Sequence, residues 1–204
     1  MALFRNKYRI ESARLPEWDY SSPGYYFITV CTHDRSNVFG YISNGIMHLN
    51  EYGKIVHDEW FASFEIRDEL DRDEFTIMPN HFHGIVRIVG TPVETHGCAS
   101  LPFVQNRIPN AGIASRKPKS ISSFMAGVKS SMTKRINVLR KTPGAPVLQY
   151  RFHDHVIRNE QELFRIRQYI KNNPLNWHND TFNTTDNNCV REPEMIYAYE
   201  TWMI

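Results

Sequence analysis

Two histidines one residue apart, His81 and His83, have the residue type and spacing to hold a metal ion. They lie in Met78-Pro79-Asn80-His81-Phe82-His83-Gly84-Ile85-Val86, where a turn-like Met-Pro-Asn runs into an alternating, β-branched segment that continues through Arg87-Ile88-Val89. A strand reverses its side-chain direction at every residue, so both imidazoles leave one face while Phe82 leaves the other. Phe82, Val86 and Ile88 then face a core, and the imidazoles stand side by side, able to share one divalent cation. Further along, Tyr169 and Asn173 are four residues apart on a helical segment and therefore lie one above the other. Leu163, Ile166 and Ile170 form that helix's buried stripe, with Tyr169 at its edge. Asn173 offers a neutral carbonyl oxygen. Two imidazoles and an amide oxygen leave positions open for water and phosphate oxygens, which suits polarising a phosphodiester better than closing a structural site.

A phenol ionises near pH ~10 and is a poor nucleophile at neutral pH unless its target is strongly polarised. A bound cation supplies that polarisation. Attack of Tyr169 on phosphorus would give a phosphotyrosine link and free a sugar hydroxyl. The link keeps the ester's energy, so a strand could be rejoined without ATP. Plainer readings exist for each residue type. Strand histidines are often just partly exposed polar residues, and tyrosines are often buried with a bonded hydroxyl, the reading for Tyr150, Tyr197 and Tyr199. His153-Asp154-His155 is a rival His-x-His pair. Its charged middle residue fits a surface strand, so these histidines are read as lying behind the ligands or touching DNA.

The elements that would position these residues follow from pattern. Tyr25 to Thr32 is aromatic and β-branched throughout, a strand; Val38 to Met47, interrupted by Ser43-Asn44-Gly45, reads as a hairpin. Asn50 N-caps a helix with an apolar stripe at Tyr52, Ile55, Val56, Trp60 and Phe64. Leu70–Asp73 leads into a strand region that opens at Glu74–Ile77 and continues into the histidine segment. Residues 91–118, with Pro92, Pro102, Pro109 and Pro118, show no period and read as a long flexible loop. Lys119 to Lys141 predicts a second helix, with Met125, Val128, Met132, Ile136 and Leu139 inward and Ser130, Lys134, Asn137 and Lys141 outward. Val147–Phe152 predicts a further strand. Asn159, with Glu162 three residues on, opens a third helix in a capping-box arrangement that stops at Asn173-Pro174. Antiparallel strands with helices on one face describe an α+β sandwich of ferredoxin-like character. One domain over residues 1–204 is expected, with 178–204 as a tail.

The net charge of +2 hides a segregation. Between Thr95 and His153 there is no Asp or Glu, yet there are ten Lys and Arg; the rest of the chain holds 14 bases against 22 acids. Such a block suggests a polyanion partner, and an acid-free window of this length points to nucleic acid. Mean hydropathy is −0.49 and no long apolar run exists, which excludes a membrane-spanning helix. The first residues lack an apolar stretch of signal-peptide length, so the expected compartment is the cytoplasm, at the nucleoid. Cys31, Cys98 and Cys189 are odd in number and scattered, which fits a reducing compartment and no disulfide framework.

His81-Phe82-His83, preceded by Met78-Pro79-Asn80, resembles the HUH signature (His, bulky hydrophobic, His). The run Tyr150-Arg151-Phe152-His153-Asp154-His155-Val156-Ile157-Arg158-Asn159 and the block Tyr169-Ile170-Lys171-Asn172-Asn173-Pro174 look like the C-terminal half of the REP-associated tyrosine transposases. Arg14-Leu15-Pro16-Glu17-Trp18-Asp19-Tyr20 is similar to the start of longer members. The resemblance spans about residues 14–177. It implies an RRM-like core with the histidine pair on a central strand, Mg2+ or Mn2+ dependence, Tyr169 as the catalytic nucleophile on a C-terminal helix, and Asn173 as third ligand beside His81 and His83. It also implies single-stranded DNA with imperfect hairpins, REP-like palindromes, as substrate. The basic segment then becomes the hairpin surface, with Lys119, Lys129, Lys134, Arg135, Lys141, Arg151, His153 and Arg158 as contacts. The long Pro-rich loop and the non-acidic third ligand depart from the family pattern.

The expected function is a metal-dependent single-strand DNA nicking and joining enzyme, monomeric or homodimeric, with no membrane partner. Two readings compete with it. One is a domesticated module that holds hairpins without cutting. The other is a zinc-dependent hydrolase using water, which needs a third His or carboxylate ligand that the sequence does not place.

Overall fold

In the computed structural model, residues 14, 15, 17–90 and 116–183 are described, together with the backbone of 3–4 and 7–8. Leu3–Phe4 (β1) and Lys7–Tyr8 (β2) form a small antiparallel pair. The aromatic, β-branched run Gly24–Cys31 is β3. Gly40–Ser43 (β4) and Ile46–Leu49 (β5) make the expected hairpin, and α1 spans Glu51–Glu65. The Asn50 side-chain oxygen caps α1 by accepting from the backbone N–H groups of Tyr52 and Gly53. Then come β6 (Leu70–Ile77), β7 (His81–Ile88), α2 (Ile121–Leu139), β8 (His153–Ile157), α3 (Glu160–Asn172) and a 3-10 helix at Pro174–Asn179.

Four strands form one antiparallel sheet in the order β6-β7-β3-β8. The histidine segment is therefore a central strand. Register sets Thr29 of β3 opposite both His83 on β7 and His153 on β8, and residues directly opposite point to the same side of a sheet. Thr29, His83 and His153 thus form a row across three strands.

The sheet is covered on both faces. Under one, Trp60 of α1 and Phe124, Val128 and Met132 of α2 pack with Ile28, Phe82 and Val86. Over the other, Leu163, Ile166 and Ile170 of α3 pack with Phe27, Ile85 and Ile157. The α+β fold with an antiparallel sheet holds, but the expectation of helices on one face describes only α1 and α2. Alternation explains it: Phe27 and Ile85 face away from the first core and need a cover of their own. Gly84 is required by the first core, since a Cβ there would run into the Trp60 indole.

Several expectations change. Residues 70–77 form one strand that folds back on β7 through the Met78–Asn80 turn, with a bulge between Arg72 and Phe75. Val147–Phe152 forms no strand. Leu148 makes a single bridge to Thr32, and Tyr150, expected buried, is 89% exposed. The strand starts at His153, because β3 pairs with 153–157 along its whole middle while the preceding residues only cross the sheet's end. Asp154 does not face water. It is buried on the α2 side, where Arg14 donates to it from Nε (2.8 Å) and to Ser122 from Nη1 (2.6 Å). On α2 the outer and inner assignments swap at two positions. Asn137 is buried and donates to the Ala145 carbonyl, whereas Leu139 is 44% exposed.

Asn159 caps α3 by accepting from the Glu162 N–H (2.8 Å). The Glu162 carboxylate reaches back to the Arg158 N–H rather than to the cap residue's own, and meets His155 Nε2 at 2.7 Å. Arg167 and Lys171 tie α3 to Asp73 and Glu74 on β6. Residues 91–115 of the expected loop, the tail beyond 183, Tyr197, Tyr199, Cys98 and Cys189 lie outside the described residues. No described helix is long and apolar enough to cross a membrane.

Candidate active site

The structure brings His81, His83 and Tyr169 together. The Nε2 atoms of the two imidazoles are 3.1 Å apart, and the Tyr169 hydroxyl lies 3.3 Å from His83 Nε2. The phenol ring stands edge-on to His83 and to Phe27, which fixes its direction. Tyr169 reaches the pair because it occupies the last turn of α3, at the border of the stripe that packs on Ile85 and Phe27.

Each imidazole is held by its other nitrogen. His81 Nδ1 lies 2.8 Å from Asn80 Oδ1, an atom that can only accept, so Nδ1 carries the proton and Nε2 keeps its lone pair. His83 Nδ1 meets the Thr29 hydroxyl at 2.8 Å. This is the usual arrangement behind metal-binding histidines, in which the outer partner fixes ring orientation. Both rings are buried, at 0% and 1% exposure. Burial, then the neighbouring His83, lowers the His81 pKa well below its ordinary value; burial, then His153, takes His83 down to about 3. Both are neutral bases at physiological pH, as a metal ligand must be.

Asn173 ends α3. The residue before a proline is ordinarily pushed out of the helical region, yet Asn173 keeps it (φ −57°, ψ −45°), and the chain runs on as the 3-10 helix. Its side chain is buried and Oδ1 has no hydrogen-bond partner. The 3-10 helix then delivers residues that the sequence did not single out. Phe182 packs at a tilt against His81 with ring centres 4.7 Å apart and accepts a hydrogen bond from Asn80 Nδ2 at its carbonyl (2.6 Å). Asp180 brings Oδ2 within 3.7 Å of His81 Nε2. Burial pushes the Asp180 pKa up to about 6 against the opposing hydrogen bond from the Phe182 N–H. Nothing in local spacing could have revealed these contacts.

The two buried imidazole nitrogens fit a divalent cation of the Mg2+ or Mn2+ class by type and spacing, and the unpartnered amide oxygen of Asn173 ends the helix that carries Tyr169. Adjacent ligands around an ion with bonds of about 2.1 Å lie roughly 3 Å apart, close to the spacing of the Nε2 pair. Beside the phenol opens a cleft of about 530 Å³, lined by Phe164, Arg165, Gln168, Tyr169, Asn173 and Asp180 among others.

The expected DNA contacts are not gathered at this site. Lys119, Lys134, Lys141, Arg151 and Arg158 are exposed. Arg135 pairs with Glu59 at 2.6 Å, and Lys129 donates to the carbonyls of Gln149 and Tyr150, which makes it a strut between α2 and the loop before β8. Lys134, Arg135 and Lys141 belong to the α2 layer, across the sheet from Tyr169. Arg151, His153 and Arg158 flank the edge strand β8, and His153 shares the row of Thr29 and His83.

No family model matches this chain. A Haemophilus influenzae protein described only as uncharacterized is 34% identical over 171 residues, which span 83% of this chain and 90% of that one. The solved structure of the REP-associated tyrosine transposase bound to a REP hairpin has a TM-score of 0.53 to this chain at 17% identity, over 83% of this chain and 74% of the other. That likeness establishes the fold.

Proposed function

Because the chain belongs to one family with the Haemophilus influenzae protein and has a REP-associated tyrosine transposase-like fold, we propose that it is a DNA strand-nicking and joining enzyme that works through a covalent phosphotyrosine. The observation that carries this reading is the Tyr169 hydroxyl 3.3 Å from an imidazole that is itself 3.1 Å from a second. Tyr169 is the nucleophile. Its Oη bonds to phosphorus, one phosphorus–sugar oxygen bond breaks, and the phenol's proton is balanced by the one gained by the departing sugar hydroxyl. Rejoining runs the same exchange backwards with another strand end.

His81, His83 and Asn173 would hold Mg2+ or Mn2+, and that ion, when bound, draws charge from the scissile phosphate. Asn80 and Thr29 hold the imidazoles in orientation. Phe27 and His83 aim the phenol. The cleft beside Tyr169 receives the single strand, with Arg165 facing its backbone charge and Phe164, 62% exposed, offering a surface on which a base can stack. The hairpin named for the solved relative supports an imperfect palindrome as substrate, held along the β8 edge by Arg151, His153 and Arg158. The acting unit is one domain of residues 1–204, working on DNA in the cytoplasm.

A second reading, a hairpin binder that does not cut, draws on one observation. His81 and His83 are almost fully covered, Phe182 lying against His81. Labelled hairpin DNA with a single-stranded flank, incubated with Mn2+ and the wild-type or Tyr169→Phe protein, separates the readings. Wild type is expected to form an adduct that survives denaturing electrophoresis, and the variant none. Binding without an adduct in either protein would favour the non-cutting module, while cleavage that persists in Tyr169→Phe would favour hydrolysis by water.

A further inference from the structure

We propose that Asp180 is a further ligand of the divalent cation, delivered to His81, His83 and Asn173 by the segment that follows α3. The inference rests on the reading of the histidine pair as a cation site and adds the anionic donor that this set lacks.

Two buried acceptors at and just beyond the end of α3 have no donor. His81 Nε2 carries a lone pair, because Nδ1 donates its proton to Asn80 Oδ1. Asp180 Oδ2 lies 3.7 Å from that lone pair, beyond hydrogen-bond length, and the Asp180 side chain is only 5% exposed. The other carboxylate oxygen, Oδ1, is taken by the Phe182 N–H at 2.8 Å, which leaves Oδ2 as the free oxygen on the His81 side. Oδ2 has no hydrogen-bond partner, and neither has Asn173 Oδ1. A buried acceptor without a donor is costly, and a cation seated between His81 Nε2 and Asp180 Oδ2 relieves it.

Asp180 is held where it is. Its N–H donates to the Trp177 carbonyl, its carbonyl accepts from Asn183, and Phe182 is fastened to Asn80 two residues on. The donor set is two imidazole nitrogens, one carboxylate oxygen and one amide oxygen, which suits a hard to borderline divalent ion and leaves room for phosphate oxygens. As they stand, no three His, Cys, Asp or Glu side chains among the described residues close around a single point. Neighbouring ligands of one ion lie about 3 Å apart, so Oδ2 must approach by less than about 1 Å, a side-chain rotation.

The test is Mn2+ binding to the full chain without DNA, followed by loss of the free-ion electron paramagnetic resonance signal. Wild type is expected to bind one Mn2+. Asp180→Asn keeps the shape and removes the charge, and it should bind at least about tenfold more weakly; Asp180→Glu should fall between the two. Circular dichroism melts of the metal-free proteins check folding, and Asp180→Glu stands in if the amide variant does not melt cooperatively. Equal affinity in wild type, Asp180→Asn and Asp180→Glu, with binding abolished in His83→Gln, overturns the role of Asp180 and leaves the histidine site intact. Failure of wild type to bind Mn2+ at all overturns both.

Discussion

Asn80 shows how much of this site rests on single atoms. Its Oδ1 fixes the proton on His81 Nδ1, and its Nδ2 donates to the carbonyls of Arg35 and Phe182. One amide therefore leaves the lone pair on His81 Nε2 and fastens the segment that carries Asp180. Asn80→Ala is expected to weaken Mn2+ binding by about 10- to 100-fold, the range seen when partners behind metal ligands are removed. Isothermal titration calorimetry measures it, and an unchanged affinity would show that the His81 tautomer is set elsewhere. Strand period paired His81 with His83 and helix period paired Tyr169 with Asn173, while the approach of the phenol to His83 is made by the fold. Asn80 was visible only as a turn residue. Thr29, 54 positions before His83, and Asp180 carry no local signal, since sheet register and a chain reversal make their contacts.

At the scale of elements, α3 has the task of keeping a phenol over a strand. Its apolar stripe supplies adhesion, while Arg167 fixes its rotation by gripping Asp73 on β6 through Nε (2.8 Å) and Nη2 (2.5 Å). Burial raises the Asp73 pKa, but Arg167 outweighs it and the net shift is downward. A carboxyl depressed on folding contributes stability that is present above its unfolded value of about 3.8 and lost as pH falls through the folded one. Asp73→Asn should cost about 1–2 kcal/mol near neutral pH, given that Arg167 is part-exposed and screened, and the penalty should shrink in acid. Urea melts at neutral and acid pH measure it; a penalty independent of pH would mean that packing alone seats the helix. The helices and β3 were readable because their periodicity is strong. β8 was not, since Val147–Phe152 is the more strand-like run by composition, and only pairing with β3 selects 153–157.

Across the whole molecule, the sheet separates two environments. Below it lies an apolar core with α1 and α2. Above it, α3 and the 3-10 helix enclose two neutral imidazoles whose ordinary pKa is 6.5. Their folded values are depressed, so the stability they allow is full above about 6.5 and is lost as pH falls from there toward 3. Asp180 acts oppositely. Raised from 3.8 to about 6, it contributes fully below 3.8 and loses that contribution as pH rises through 6. Each group is worth about 1.4 kcal/mol per pH unit, and two imidazoles outweigh one carboxyl. The metal-free protein should therefore melt at lower temperature at pH 5 than at pH 7, with a shallower dependence in His83→Gln; a flat profile in the wild type would mean that the pair is not held neutral. The chemistry-bearing residues and most of their elements were written in the sequence, because periodicity is a local property that burial reads directly. Only the folded chain decided which face each helix covers, that the basic residues of α2 lie across the sheet from the tyrosine, and that a carboxylate comes to rest beside the histidines. Those facts depend on strand order and register, which bring together residues that no spacing along the chain connects.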